Sequence, residues 1–318
     1  MGMITTTTNP SFFYDIEGTI RLYDPKLLKT WDNYVDVNND YDVIKDHILN
    51  ANRPIKIEGG KGTGKTLLVH TICKDIQSSL IEISCTAFTK ERDLLGSYQL
   101  NDKGQSYFKL GKIPLAYLCA NNYGHATLLG DDIHTQDPDV MAIWHSVCDK
   151  RKYVYAGGKK YELNKDSKLA IVFTTNPHTD MGAYRLSDPM LSRVVGRVMY
   201  NPQLKKLEKI PDWKDIPDTV KDALLTLSID SNAMKRQDIT SYELSPRDVC
   251  QFTDQYRDYL KYYKVSVEEK EKQHRLINSK VETVLEETIK TVILTKYVNP
   301  DEREHMLKRC EETFNVEL

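Results

Sequence analysis

The sequence predicts an α/β protein, a parallel sheet flanked by helices with a small all-α domain at its C-terminal end. Three observations predict it. A glycine-rich loop at residues 59–66 stands between a strand-like run and a helix-like run. The runs 126–132 and 169–175 are nearly continuous in apolar residues, as strands covered on both faces are. Beyond residue 200 strand signals fade and helical spacing takes over. The 318 residues suit about two domains. The expected division is an N-terminal extension over 1–50, an α/β domain over 51–200 with hairpins inserted at 97–110 and 153–163, and a helical domain with C-terminal helices over 201–318.

The bulk numbers exclude several classes. A formal net charge of −2 gives no overall basic field for nucleic acid. No apolar stretch approaches the ~18 residues of a membrane span, and Met1-Gly2-Met3-Ile4 followed by four threonines lacks the basic and apolar regions of a secretory signal. The six cysteines are scattered without a Cys-x-x-Cys pair, so neither zinc nor a disulfide framework is expected. Buried free thiols in the reducing cytoplasm fit better. His134 and His145 lie near the expected site, and both read as core or surface residues.

In chain order, the start of the chain is hard to read, with Thr5–Thr8 and Asn9-Pro10 suggesting a loose beginning. Asn38-Asn39-Asp40 marks a turn, and Tyr41 to Asn50 reads as a helix with Val43, Ile44, His47 and Ile48 on one side. Arg53-Pro54 stops it and launches the strand Ile55 to Glu58. The loop reads Gly59-Gly60-Lys61-Gly62-Thr63-Gly64-Lys65-Thr66, with Leu67 opening the helix behind it. This is the phosphate-loop pattern in its proper strand–loop–helix context. Glycines let backbone N–H groups turn inward around a phosphate, and the helix N-terminus favours the anion. Lys65 would reach the outer phosphates of ATP or ADP, and the Thr66 hydroxyl would hold Mg²⁺.

Leu80 to Ser84 is the second strand. The turn Asn101-Asp102-Lys103-Gly104 between two strand-like runs makes the first hairpin, and Gly111 to Asn121 returns as a helix. The run from Ala126 ends in Asp131 and Asp132, which places Asp131 to hold Mg²⁺ and Asp132 to orient an attacking water. Pro138 to Lys150 reads as one helix striped by Val140, Ile143, Trp144 and Val147, and Gly157-Gly158 centres the second hairpin. The strand from Leu169 ends at Asn176-Pro177, where the amide would polarise a γ-phosphate or hold the water. Ser187 is expected to cap a short helix with Arg193 near its end. Trp213 to Leu227 reads as a helix, and Ser245-Pro246-Arg247-Asp248 as a strong helix start. Arg247 is an unfavourable first-turn cation, which points to an anionic partner. The helix behind it carries Val249, Phe252, Tyr256, Tyr259 and Tyr263 as a core stripe. Val267 to Tyr297 supports one or two more helices, with Ile277, Val281, Leu285, Ile289 and Val292 on one face, and the charged run 268–272 is a solvated surface.

In this order the motifs over residues 51–260 resemble an AAA+ ATPase, and within that group the MoxR-like branch. Gly59–Thr66 resembles Walker A and Leu128–Asp132 Walker B. Asn176 falls at sensor 1, Arg193 at the arginine finger of a run beginning at Tyr184, and Arg247 at sensor 2. The two hairpins, with Asp93-Leu94-Leu95-Gly96 before the first, fall where this clade has its inserts. The resemblance implies a ring, usually a hexamer, with Arg193 supplied to the neighbour's ATP, and the remodelling of a client protein such as one with a von Willebrand factor A domain. Two departures stand out. Asp132 replaces the usual Glu, which shortens its reach by about 1.5 Å, and Val194 stands where an aromatic commonly follows. Three other readings stay open: a nucleic-acid motor using Lys103, Lys109, Lys112, Lys150, Arg151, Lys152, Lys159 and Lys160, a chelatase-type subunit, and a nucleotide-gated scaffold with weak turnover.

Overall fold

The structure is a computed structural model, and it describes residues 16–29, 34–36, 39–51, 53–149, 151–177, 186–199, 207–265, 280–316 and 318. The chain divides into two compact units. One holds Asn39–Gly59 and Gly64–Met199, and the other holds Gly60–Thr63 and the residues beyond Met199.

The first unit is organised by a five-stranded sheet. Its strands are β1 (Ile55–Gly59), β2 (Ser79–Ser84), β5 (His125–Asp131), β8 (Lys168–Thr175) and β9 (Val195–Met199), in the order β2-β5-β8-β1-β9. Every pairing is parallel. Alternate residues therefore serve opposite faces. Leu128, Ile171 and Phe173 enter one core with the helix Lys112–Tyr123, which supplies Ile113 and Tyr117. Leu129, Ala170 and Val172 enter the other with Leu68, Val69 and Ile72 of the helix Lys65–Asp75 and with Ile44 and Ile48 of Tyr41–Asn50. Covered on both faces, β8 is buried along all but its first residue. Because the strands run one way, Gly59, Asp131 and Thr175 end along one edge of the sheet, and Pro54 and Val195 stand at the other.

Both expected hairpins are present, as β3 (Gly96–Leu100) with β4 (Ser106–Leu110) and β6 (Tyr153–Ala156) with β7 (Lys159–Glu162). Gly157 and Gly158 both have positive φ, 54° and 74°, as a two-residue turn of matching twist requires. Several sequence expectations need correction. The single helix over 138–150 is two short ones, Pro138–Met141 and Ile143–Val147, and Lys150 lies outside the described residues. The helix expected from Trp213 starts at Asp218 and runs to Arg236, because Pro217 is extended with ψ 144°. Ser187 makes no capping bond to the helix Asp188–Leu191, and its hydroxyl meets His145 Nε2 at 3.0 Å instead. Strand β9 went unread: it is a short edge strand whose apolar residues Val195, Val198 and Met199 are interrupted by Gly196 and Arg197. Its Arg197 donates through Nε to Asp40 Oδ1 at 2.7 Å.

The second unit is helical where described, with helices Asp218–Arg236, Pro246–Tyr262, Lys280–Thr288 and Pro300–Phe314. Val249, Phe252 and Tyr256 are buried, as are Val281, Leu285, Ile289 and Val292. Thr5–Thr8, Asn9-Pro10, Asn38, Tyr184, the run 268–272 and Ile277 lie outside the described residues. Among the described residues no helix is long and apolar enough to cross a membrane.

Candidate nucleotide-binding site

The site begins where β1 stops. Gly64, with φ 88°, caps the helix Lys65–Asp75 in a left-handed conformation that glycine adopts without a Cβ penalty. Leu68 N–H already donates to Gly64 O at 2.8 Å, so the first-turn N–H groups of Lys65, Thr66 and Leu67 are the ones a helix leaves for an external acceptor. Lys65 is buried. Its Nζ donates to Gly59 O and to Asn176 Oδ1, both at 2.9 Å. The loop and the tip of β8, 111 residues apart in sequence, thus meet at one ammonium group.

The end of β5 supplies the acids. Thr66 Oγ1 donates to Asp131 Oδ1 at 2.7 Å, and Thr174 Oγ1 donates to the same oxygen at 2.6 Å. Thr174 Oγ1 also accepts from Asp132 N–H at 2.8 Å. Asp132 leaves the strand with φ 53° and ψ 44°, and its carbonyl accepts from Thr135 Oγ1 at 2.9 Å. Among the described residues the Asp132 carboxylate has no hydrogen-bond partner. Burial, then the charges of Asp131 and Asp132, push the neighbouring Cys85 thiol up to about 12, so it is an inert wall.

Sequence reasoning missed two residues here. Thr174 is fully buried and links the Asp131 carboxylate to the Asp132 backbone N–H, and nothing marks it among strand threonines. His134 was read as core or surface. It is buried, but its Nδ1 accepts the Asn176 N–H at 3.3 Å, which fixes the backbone of the residue that meets Lys65. We expect His134→Ala to lower kcat for ATP about tenfold, more than it changes KM, by loosening Asn176. His134→Asn, whose amide oxygen stands where Nδ1 does, should restore most of it, and equal losses in both variants would refute this role.

In the second unit the loop tip has Thr63 Oγ1 donating to Gly60 O at 2.9 Å, and Lys61 is exposed. Gly62 there has φ 73°, and a Cβ on it would lie 2.6 Å from Ser245 Oγ and 2.9 Å from Arg247 Cβ. Gly62→Ala is expected to cost about 1–3 kcal/mol, read as a lower unfolding midpoint in urea; an unchanged midpoint would show that the contact yields. Ser245 caps the helix Pro246–Tyr262 in a box with Asp248, and Arg247 is exposed, with no hydrogen-bond or ion-pair partner among the described residues. Arg193 stands at the far edge of the sheet, beside the start of β9, where Nη1 donates to Pro189 O at 2.7 Å. Register places Ile55 opposite Val195 and Gly59 opposite Met199. The length of β1, about 13 Å, therefore separates Arg193 from the phosphate-loop edge. Of the hairpin cations, Lys112 donates to Tyr23 Oη at 2.6 Å and Lys160 pairs with Glu162, which leaves fewer for an outside anion.

The residues present fit Mg²⁺ and a nucleotide. No group of three or more His, Cys, Asp or Glu side chains placed to hold a metal ion is found among the described residues. Mg²⁺ needs no such cluster, since it uses one or two protein oxygens beside phosphates and waters, and Thr66 Oγ1 with Asp131 Oδ1 is such a pair. The left-handed Gly64, at φ 88°, turns the chain so that the N-terminus of the helix behind it can face a phosphate.

Residues 54–194 match the family described as AAA domain, dynein-related subfamily. Together with the sheet and the loop, this gives residues 54–194 an α/β AAA fold. Two curated proteins of Staphylococcus are similar to it. An uncharacterised protein of Staphylococcus haemolyticus is 27% identical over 120 residues, 36% of this chain and 44% of that protein. An uncharacterised protein of Staphylococcus saprophyticus is 27% identical over 124 residues, 38% of this chain and 45% of that protein. The chain thus spans less than half the length of the curated relatives it matches. A structure described as the basis for katanin self-assembly shares the fold, with TM-score 0.51, 12% identity, and coverage of 98% of this chain and 100% of that one.

Proposed function

We propose that this chain binds and hydrolyses ATP as a subunit of a homo-oligomeric ring, in the manner of the MoxR-like branch, and uses turnover to remodel or activate a client protein complex in the cytoplasm. The observation that carries it is the convergence of Lys65 with Asn176, and of Thr66 with Asp131, at one edge of a parallel sheet. Water attacks the γ-phosphate in line. Asp132 orients that water, and Lys65 and Asn176 hold the outer phosphate oxygens. Thr66 and Asp131 would hold Mg²⁺, whose chemistry there is to offset the charge of the phosphates. Arg193 cannot reach the loop across the length of β1, so it serves the nucleotide of a neighbouring subunit, and Arg247 relays the phosphate state to the helical unit. The self-assembly named for the katanin structure, which shares this fold, is in keeping with an oligomer. A nucleotide-gated scaffold with weak turnover is the second reading, favoured by the short Asp132.

The test is ATP turnover measured together with light scattering, with and without ATP, for wild type, Lys65→Ala and Arg193→Ala. Wild type should assemble with ATP and turn it over. Arg193→Ala should bind ATP and lose turnover. If wild type neither binds ATP nor changes its assembly state, the proposal fails.

A further inference from the structure

At the sheet edge opposite Gly59 the first unit has a cavity of about 540 Å³. Its wall includes Tyr117 and Ile171, and it is lined by three cations, Arg53, Lys152 and Arg193, against one carboxylate, Asp149. The cations come from three separate segments, ahead of β1, β6 and β9. Val195 N–H donates to Pro54 O at 2.9 Å and ties the Arg193 segment to the Arg53 segment. Lys152, at φ 53°, is held by its N–H to Asp149 O at 3.3 Å. The Asp149 carboxylate is already engaged by Arg151, through its backbone N–H at 3.2 Å and Nη2 at 3.3 Å. Arg53 and Lys152 are exposed, and neither side chain has a hydrogen-bond or ion-pair partner among the described residues.

Three like charges converging on one cavity with a single, occupied carboxylate are complementary to an anion from outside. The chain's own phosphate loop is not that anion's seat, since β1 separates the two edges by about 13 Å. We propose that Arg53 and Lys152 join Arg193 in receiving the phosphates of the nucleotide held by a second copy of this chain. This rests on the ring proposed above and adds two residues to the shared site. Their ammonium and guanidinium groups draw the neighbour's nucleotide-bearing edge into register and offset its negative charge. Apo subunits lack that anion, so assembly follows nucleotide.

Mixing experiments on the full chain test it. Arg53→Glu/Lys152→Glu should lose at least about tenfold in turnover, with unchanged ATP affinity of the isolated subunit and an unchanged circular dichroism spectrum. Lys65→Ala is expected to be inactive for want of its own nucleotide. Mixed in equal amounts, the two should regain turnover, because about one interface in four then pairs an intact loop with intact cations. Turnover of the double variant within about twofold of wild type would overturn the proposal. So would a mixture that stays inactive while Arg193→Ala mixed with Lys65→Ala recovers, because Arg53 and Lys152 would then act within their own subunit. Failure of both mixtures would overturn the shared site itself, and this proposal with it.

Discussion

Lys65→Ala is expected to weaken ATP binding about a hundredfold or more and to abolish turnover. The Lys65 ammonium is buried, and it donates to Gly59 O and Asn176 Oδ1 at 2.9 Å each. A charge-assisted contact in such a site is worth about 2–4 kcal/mol when one partner is removed, which is about 30- to 1000-fold in Kd. The substitution also strips a donor from two acceptors, Gly59 O and Asn176 Oδ1, so stability should fall by about 1–3 kcal/mol in the absence of nucleotide. Two measurements separate the effects. Titration with a fluorescent ATP analogue reads the affinity, and urea unfolding without nucleotide reads the stability. Affinity within about threefold of wild type would mean that Lys65 does not meet a phosphate and that the loop is structural.

The parts of this site differ in how far residue patterns reveal them. Gly59–Thr66 is legible because local geometry dictates its composition: a tight anion cradle needs glycines, and its helix must start at a lysine and a hydroxyl. Strands β5 and β8 are legible because burial on both faces leaves little room for polar residues. Strand β9 is not, since an edge strand of five residues can hold Gly196 and Arg197 and still pair with β1. The roles of Thr174 and His134 arise only from juxtaposition, 43 residues from Asp131 in one case and 42 from Asn176 in the other, and neither residue type announces it. The break of the 138–150 helix and the late start at Asp218 are local turns that apolar periodicity does not resolve.

Asp132 is where structure alters the meaning of a residue most, and its replacement by glutamate should move activity and stability in opposite directions. By residue type it is one methylene shorter than the glutamate expected of a base at this position. In the fold it also occupies a left-handed backbone position, φ 53° and ψ 44°, pinned at N–H by Thr174 and at C=O by Thr135. Aspartate tolerates that conformation better than glutamate, for which it costs about 1–2 kcal/mol. Asp132→Glu should therefore raise kcat, by about tenfold if general-base reach limits the chemical step, while lowering the unfolding midpoint. Asp132→Ala should cut kcat about a hundredfold or more and leave ATP affinity near wild type, because the carboxylate meets the water and not the nucleotide. Single-turnover kinetics on wild type and both variants, paired with urea unfolding, decides it. If Asp132→Glu loses stability without gaining rate, the left-handed turn and not the missing methylene accounts for aspartate here. If Asp132→Ala also turns over at the wild-type rate, the water is oriented by another group, and the scaffold reading gains ground over a working ATPase.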